Sequence, residues 1–386
     1  MSTAQHLTDL AVGLAKAGHT TTVLASRRDY SRPGVLYPAR EKHQGVEVIR
    51  VWSFSFGRSS RFARILSALF LNLAFAWRLL WLGRFDRIVA MTSPPLVAWI
   101  AVLLTRSSRF IYWIMDVNPD EAIEAGWLRK TSLAARFLNW ILKEVLKRSD
   151  AVVVLDQFMK DRLTLKGAES VKIQILPPWS HDDDLKVVPH QNNPFREKAG
   201  LNGKFVVMYS GNLSLCHPLD ILLQAAHSLR DDQDIAFVFI GGGERVGEVL
   251  NFKERHSLTN ILYFPYQRRA DLKYSLSAAD LHAVVMGKPY VGIVHPCKIY
   301  GILKTGRPFV YIGPEESPIG WLVATDGVGH CVDHGEPEKL VRIIQEEKNL
   351  RDERHGRLLP AQQKIAERYS QKFLLPLLIH WIAGES

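Results

Sequence analysis

The chain has 386 residues, 47% of them hydrophobic and 23% charged, which suffices for two domains with full cores and excludes a disordered or low-complexity protein. Three cysteines, Cys216, Cys297 and Cys331, are too few and too scattered for a disulfide framework, and point to a reducing cytoplasm. The formal net charge of +10 is uneven: residues 1–178 hold 25 basic and 14 acidic side chains, residues 179–386 hold 24 and 25, and seven of the ten tryptophans lie in the basic half.

Taken in order, the first half alternates helix and strand. Ala4–Gly18 has the apolar spacing of an amphipathic helix, with Ser2 or Thr3 as its cap. Thr20–Ala25 and Val46–Val51 read as strands, Arg58–Gly83 as a helix, Arg87–Met91 as a strand, Leu96–Thr105 as a helix and Phe110–Met115 as a strand. Leu133–Arg148 and Gln157–Lys166 are helical in pattern, Ala151–Leu155 and Val171–Leu176 extended. Pro177-Pro178 and the polar stretch Ser180–Asn202 read as a linker. Met1–Ala11 lacks the basic start and apolar block of a secretory leader. The chain opens on a helix with no strand before it, although a doubly wound domain has a central strand there. The expectation is a native start further upstream or a shortened form, with an edge-first strand order as the alternative.

The second half repeats the alternation, with strands expected at Phe205–Tyr209, Ile235–Ile240, Ile261–Phe264, Leu281–Val285, Phe309–Ile312 and Val328–Val332. Apolar strands alternating with helices imply an α/β fold with a parallel sheet in each half and helices on both faces. Two such Rossmann-like domains place a ligand cleft at their strand ends. The domains are expected at 1–178 and 179–366, with 367–386 docking back on the first. The most informative segment runs from Lys204 to Ala226. A buried strand ends in Ser210-Gly211-Asn212 and leads to a helix with Pro218 as its first residue. Free amides and a helix start make this an anion site, and the ligand implied is a phosphate.

An ordered set of motifs carries a family resemblance: QHLTDLAVGLAKAGHTTTVLAS, VAMTSPPL and WIMDVNPDEAIEAG in the first half, then YSGN, FVFIGGG, LSAADL and PCKIYGILKTGRPFV in the second. Together they resemble GT-B glycosyltransferases of family 4, and among them the bacterial surface-polysaccharide members of the WbuB/WcaI type. The resemblance implies a retaining transfer of sugar from a nucleotide donor on the second domain to an acceptor on the first. It also implies no cofactor, no bound metal and a last helix that crosses back, for which Phe373–Ile382 is apolar enough. Many members carry two glutamates eight positions apart near the end of the donor site. This chain has Ile293 and Gly301 at those positions, so carboxylate contacts to ribose and sugar cannot be carried over.

Breaking a sugar–phosphate bond builds charge on the departing diphosphate, which fixed donors stabilise. Ser210, Gly211 and Asn212 are candidates through backbone and side chain. Lys298 is the best single cation, since it opens an apolar helix after Gly292–Cys297, and Ile299 follows it at the same helix start. His217, His295 and Cys297 lie in loops at strand ends, where the histidines could donate to phosphate. With Cys216 they could converge as a zinc set, but they lack the C-x-x-C or H-x-x-x-H spacing. Gly241-Gly242-Gly243 ends a strand, so Gly242 lets backbone approach a ligand; with Gly247 the spacing is G-x-G-x-x-x-G, not a dinucleotide fingerprint. Tyr266 could line the base pocket or an ordinary loop. On the first domain, Asp116 ends a strand ahead of Asn118-Pro119-Asp120. By resemblance to a D-x-x-P-[DE] segment it takes the acceptor's proton or orients the acceptor, or it caps the next helix. Gln5, His6 and Asn118 complete the acceptor side.

From Arg50 to Arg109 there are nine arginines and one acid, Asp86. Arg58, Arg61 and Arg64 sit three apart, Ile65–Trp77 carries no charge, and Trp77 and Trp81 flank Arg78. Thirteen apolar residues are too few to span a bilayer, so the segment reads as an interfacial helix on an anionic membrane, or as a core helix. No recognition module supports nucleic acid as a partner. The resulting expectation is a retaining glycosyltransferase on the inner face of the plasma membrane, extending a lipid-linked or saccharide acceptor. A sugar-nucleotide epimerase of the same fold and a non-catalytic membrane-bound relative are the alternatives.

Overall fold

The computed structural model describes residues 2–29, 34–54, 56, 61–105, 107–180 and 186–384. The chain divides into two compact units, residues 1–178 with 374–386, and residues 179–373.

Unit 1 contains two sheets. In the first, β1 (Thr22–Ser26) lies parallel to β3 (Val46–Val51), and β2 (Arg40–His43) pairs antiparallel on the other side of β3. The second is all parallel: β4 (Arg87–Met91), β5 (Arg109–Trp113), β6 (Ala151–Val154) and β7 (Ile173–Ile175) lie side by side in chain order. The expected single parallel sheet is therefore corrected to a small mixed sheet and a parallel one. β2 is a strand that the sequence reading missed. It is joined to β3 by the two-residue turn Gln44-Gly45, whose φ angles of 47° and 88° are those of a tight hairpin turn.

Helix Ser2–Lys16 includes Ser2 and Thr3, so neither is the cap expected in front of it. Gly13 lets the C-terminal helix Gln371–Ala383 approach, because a Cβ there would lie 2.5 Å from Ile379 Cδ1. From residue 374 that helix belongs to unit 1, whereas 367–373 stays with unit 2.

Unit 2 is one six-stranded parallel sheet in the order β10-β9-β8-β11-β12-β13. These strands are β8 (Phe205–Ser210), β9 (Ile235–Ile240), β10 (Ile261–Phe264), β11 (Leu281–Val285), β12 (Phe309–Ile312) and β13 (His330–Val332). Residues of β8 and β9 alternate between two buried clusters, Phe205, Val207 and Tyr209 on one face, Val206 and Met208 on the other. Both faces are thus covered, which accounts for the unbroken apolar runs. The strand order reverses between β8 and β11, and ligands of open α/β sheets bind at the carboxyl end of such a reversal. At the opposite end of β8, the fully buried Arg196 pairs with Asp280 at 3.1 Å and donates to the carbonyls of Ala278 and Leu201. Asp280 in turn accepts the amide of Val206 at 2.8 Å.

Candidate active site

Two glycine-bearing turns, one after β8 and one after β9, meet at the carboxyl end of β8. Gly211 has φ +140° and Gly241 φ +143°, and a Cβ at Gly241 would lie 1.9 Å from the Gly211 carbonyl oxygen. A Cβ at Gly243 would collide with the Leu213 carbonyl and with Asn212 Oδ1. The turns are cross-linked: the Gly211 amide donates to the Ile240 carbonyl, the Leu213 amide to Gly242, and the Arg245 amide to Leu213. Tyr209 donates its hydroxyl to the Asn212 carbonyl at 2.7 Å.

Lys298 opens helix Lys298–Thr305 and reaches into this floor. Its ammonium lies 3.7 Å from the centre of the Tyr209 ring, and a Cβ on Gly211 would stand 3.3 Å from Nζ. Nζ is shielded from water and makes no hydrogen bond among the described residues. Burial drives its pKa from 10.5 down to about 7, with Cys216 and Cys297 opposing the shift weakly. A desolvated ammonium against an aromatic face can take an anionic partner, since burial of a charge is costly until a counter-charge arrives. His217 is buried beside it. Desolvation and then the Lys298 charge push its pKa well below the usual imidazole range. It is a neutral ring, and its Nδ1 has no hydrogen-bond partner among the described residues.

In unit 1, Asp116 follows β5 in a half-buried position. Burial first, then the neighbouring Glu121, raises its pKa to about 7. The helix Asp120–Glu124 is preceded by Pro119 without a side-chain cap, so Asp116 is not its cap. Asp120 is committed to structure through Arg162 at 2.9 Å and Lys166 at 2.7 Å. A carboxyl group poised near neutrality at a strand end has the properties of a proton acceptor at physiological pH.

Residues 3–179 match the glycosyl transferase 4-like domain. The chain is similar to WbjE of Pseudomonas aeruginosa, a glycosyltransferase by name, at 24% identity over 76% of this chain and 74% of that one. WcaI of Escherichia coli K12, by name a colanic acid biosynthesis glycosyl transferase, is 25% identical over 75% of this chain and 70% of its own. The chain is a glycosyltransferase with a glycosyl transferase 4-like domain in its first half. The crystal structure of HepE from Anabaena with UDP and glucose has the same fold, with TM-score 0.71, 16% identity and coverage of 98% and 95%. The fold of the transferase is accordingly GT-B.

One expectation for the donor side is corrected by the structure. The helix after the β8 turn begins at Asp220, not Pro218, and Asp220 lies in its first turn. A carboxylate there and a spent Gly211 amide make this helix start a poor anion site. The cation at the start of helix Lys298–Thr305 stands in its place. His295 is held by Tyr300, with Nε2 to hydroxyl at 2.7 Å and the two rings stacked. Cys297 Sγ donates to the His295 carbonyl and Cys216 Sγ lies 2.8 Å from Ser214 Oγ. Among the described residues no three His, Cys, Asp or Glu side chains converge as a metal site.

Other expected residues lie around the floor. Ser210 ends β8, Asn212 presents Oδ1 3.4 Å from the Tyr266 hydroxyl, and Tyr266 also donates to the Gly242 carbonyl at 3.3 Å. Ile299 is fully buried in its helix, as is Ile293 ahead of it, and Gly301 is buried too, so neither glutamate position carries a carboxylate. In unit 1, His6 is buried with its ring 6.3 Å from that of Trp113, Gln5 is half-buried beside it, and Asn118 faces Glu121 at 3.5 Å.

Two residues were missed. Tyr209 was read only as the last strand residue, although it is the surface on which Lys298 rests. Arg245 approaches the same floor: it pairs with Glu248 at 2.6 Å, while its Nε is buried without a partner among the described residues. The signal for Arg245 was a basic residue just past three glycines at a strand's carboxyl end.

The arginine-rich helix is Arg61–Trp81; Arg58 lies outside the described residues. Phe62, Ile65, Leu69, Leu73, Trp77, Leu80 and Trp81 recur along one side of it, all exposed, with Phe62 at 73% and Trp81 at 68%. Its other side is built in, with Ala63 and Phe75 buried and Asn72 donating to the Pro95 carbonyl at 2.7 Å. At 20 residues and mean hydropathy 1.4, Phe62–Trp81 is long and apolar enough to cross a membrane, which corrects the shorter stretch expected. It is not a core helix, because only 11% of it is buried.

Proposed function

We propose that this transferase moves a sugar, with retention at the anomeric carbon, from a nucleotide-sugar donor to a lipid-linked or saccharide acceptor of a surface polysaccharide. It works as a peripheral protein on the inner face of the plasma membrane. The observation that carries the donor half is the buried ammonium of Lys298, without a hydrogen-bond partner, at the strand-order reversal of unit 2. A diphosphate supplies the counter-charge it lacks, with Arg245 as a second cation and His217 as a neutral neighbour. HepE, similar in fold, is bound to UDP and glucose, and WcaI is named for a surface-polysaccharide pathway; both support the reading. In the reaction the acceptor oxygen bonds to the anomeric carbon as the bond to the diphosphate oxygen breaks. The acceptor's proton leaves on the diphosphate, and Lys298 offsets the charge that develops there. Asp116, near neutrality, orients the acceptor hydroxyl. The one-sided apolar face of helix Arg61–Trp81 with its tryptophans suits a helix lying in the headgroup zone.

The test is a thermal-shift screen of nucleoside diphosphates and their sugars. A ligand at about a hundred times its Kd stabilises by about 2.7 kcal/mol, so a matching donor is expected to raise the melting temperature. No shift with any of them overturns the donor reading.

Binding should also be linked to pH. In the free protein Lys298 loses its proton around pH 7, and the diphosphate favours the charged form, so its pKa is higher in the complex. Donor affinity is then flat below pH 7 and falls about tenfold per pH unit above it, with uptake of nearly one proton at pH 8. Calorimetry in buffers of different ionisation enthalpy reads that uptake. The donor's esterified diphosphate does not titrate in this range, so pH-independent affinity without uptake would refute the assignment of Lys298.

A further inference from the structure

A pocket of about 330 Å³ lies between the β2–β3 hairpin and helix Arg61–Trp81, entirely within unit 1. Its polar lining comes from Arg40, Arg50 and Arg78, and its apolar lining includes Trp52, Ala74 and Trp77. The three guanidinium groups are not equivalent. Arg50 pairs with Glu41 at 2.6 Å and donates to the Pro38 carbonyl, with Tyr37 under its charge. Glu41 is therefore spent, and its pKa is held low by that hydrogen bond. Arg78 has its Nε shut off from water with no partner, and neither Arg40 nor Arg78 has an ion pair among the described residues. Two uncompensated cations thus face one cavity. Trp77 and Trp52 at its wall are both exposed, and Trp77 belongs to the apolar stripe that runs on to Trp81.

We infer that this pocket holds the headgroup phosphate of an anionic membrane phospholipid. The inference rests on the membrane contact proposed above and goes beyond it by naming a site. Charge complementarity selects an anion, because guanidinium pairs bind phosphate oxygens in fixed geometry. The surrounding face selects a lipid over a soluble anion. An acyl chain leaving the pocket finds exposed Trp77 and Leu73, and the two tryptophans stand where the headgroup zone favours them. A site of this kind fixes the helix at one depth and rotation in the interface, which diffuse attraction does not do.

The experiment is vesicle co-sedimentation of the full chain, with phosphatidylcholine alone and with phosphatidylcholine mixed with phosphatidylglycerol. Wild type is expected to prefer the mixed vesicles. R40Q/R78Q should lower binding to them about 30-fold, at about 1 kcal/mol per basic residue near the surface. R136Q/K143Q removes the same charge beside exposed Phe137 and Trp140 and should lower it several-fold less. Equal losses mean a diffuse field and overturn the pocket. Ala74→Phe fills the cavity without changing charge, and melting curves report whether it folds. It should abolish the preference for mixed vesicles, and a preserved preference overturns the pocket. Displacement by millimolar glycerol phosphate marks a soluble-anion site and overturns the lipid assignment. Failure of wild type to bind either vesicle defeats the membrane reading itself, whereas equal binding to both leaves that reading standing and defeats only the headgroup site.

Discussion

Lys298→Met is expected to make the protein more stable and nearly inactive. A shift from 10.5 to about 7 means that the folded state disfavours the charged form by on the order of 5 kcal/mol. Methionine is similar in length, keeps contact with the Tyr209 face and carries no charge to desolvate. The melting temperature should therefore rise, most clearly below pH 7, where wild type must hold the ammonium. The same change removes the cation at the departing diphosphate, and loss of one such preorganised donor lowers turnover about 100- to 1000-fold. Scanning calorimetry and initial rates on the same preparation check both halves. A variant that melts lower shows that the ammonium has a structural partner. A variant that turns over within tenfold of wild type shows that Lys298 does not face the leaving group. Opposed changes in stability and activity are what a residue strained for function produces.

The donor-side features legible in the sequence were those set by local rules. Alternating apolar runs separated by helical spacing gave every strand of unit 2, because its sheet is buried on both faces and needs little else. Lys298 is legible from its place after Gly292–Cys297 at the start of an apolar helix together with the family resemblance, and that helix does begin there. The partner of Lys298 was not legible: Tyr209 is an ordinary strand residue until folding sets its ring under a lysine 89 positions later. The consumption of the Gly211 amide by Ile240 is likewise a contact between loops, which no local spacing encodes. In unit 1, β2 escaped notice because Arg40–His43 is wholly polar and exposed; the Gln44-Gly45 pair was the only local clue. The apolar stripe of helix Arg61–Trp81 was visible as composition. Which side of it is bare depends on what Asn72 and Phe75 pack against.

Arg196→Ala should be among the most destabilising single changes in unit 2. Both partners of the Arg196–Asp280 pair are about 1% exposed, so removing the guanidinium leaves a buried carboxylate without its close cation, with the Val206 amide still donating to it and His190 at 3.6 Å. Breaking a buried pair in this way costs about 3–5 kcal/mol. For a unit of this size that corresponds to a fall of roughly 6–20 °C in its melting transition. Replacing the pair as a whole, R196M/D280L, leaves no orphan charge and should recover most of the loss. If the double variant is as unstable as the single one, the guanidinium's bonds to the Ala278 and Leu201 carbonyls carry the stability and the ion pair does not. The pair sits at the amino end of β8, and Val206 to Gly211 is five residues, about 16 Å along the strand. Below its lowered melting point the Arg196→Ala protein should therefore still be stabilised by a nucleotide-sugar as far as wild type is. A lost ligand response in the folded variant would mean that the two ends of β8 are coupled, and that the floor under Lys298 is positioned by the whole strand, not by its terminal turn.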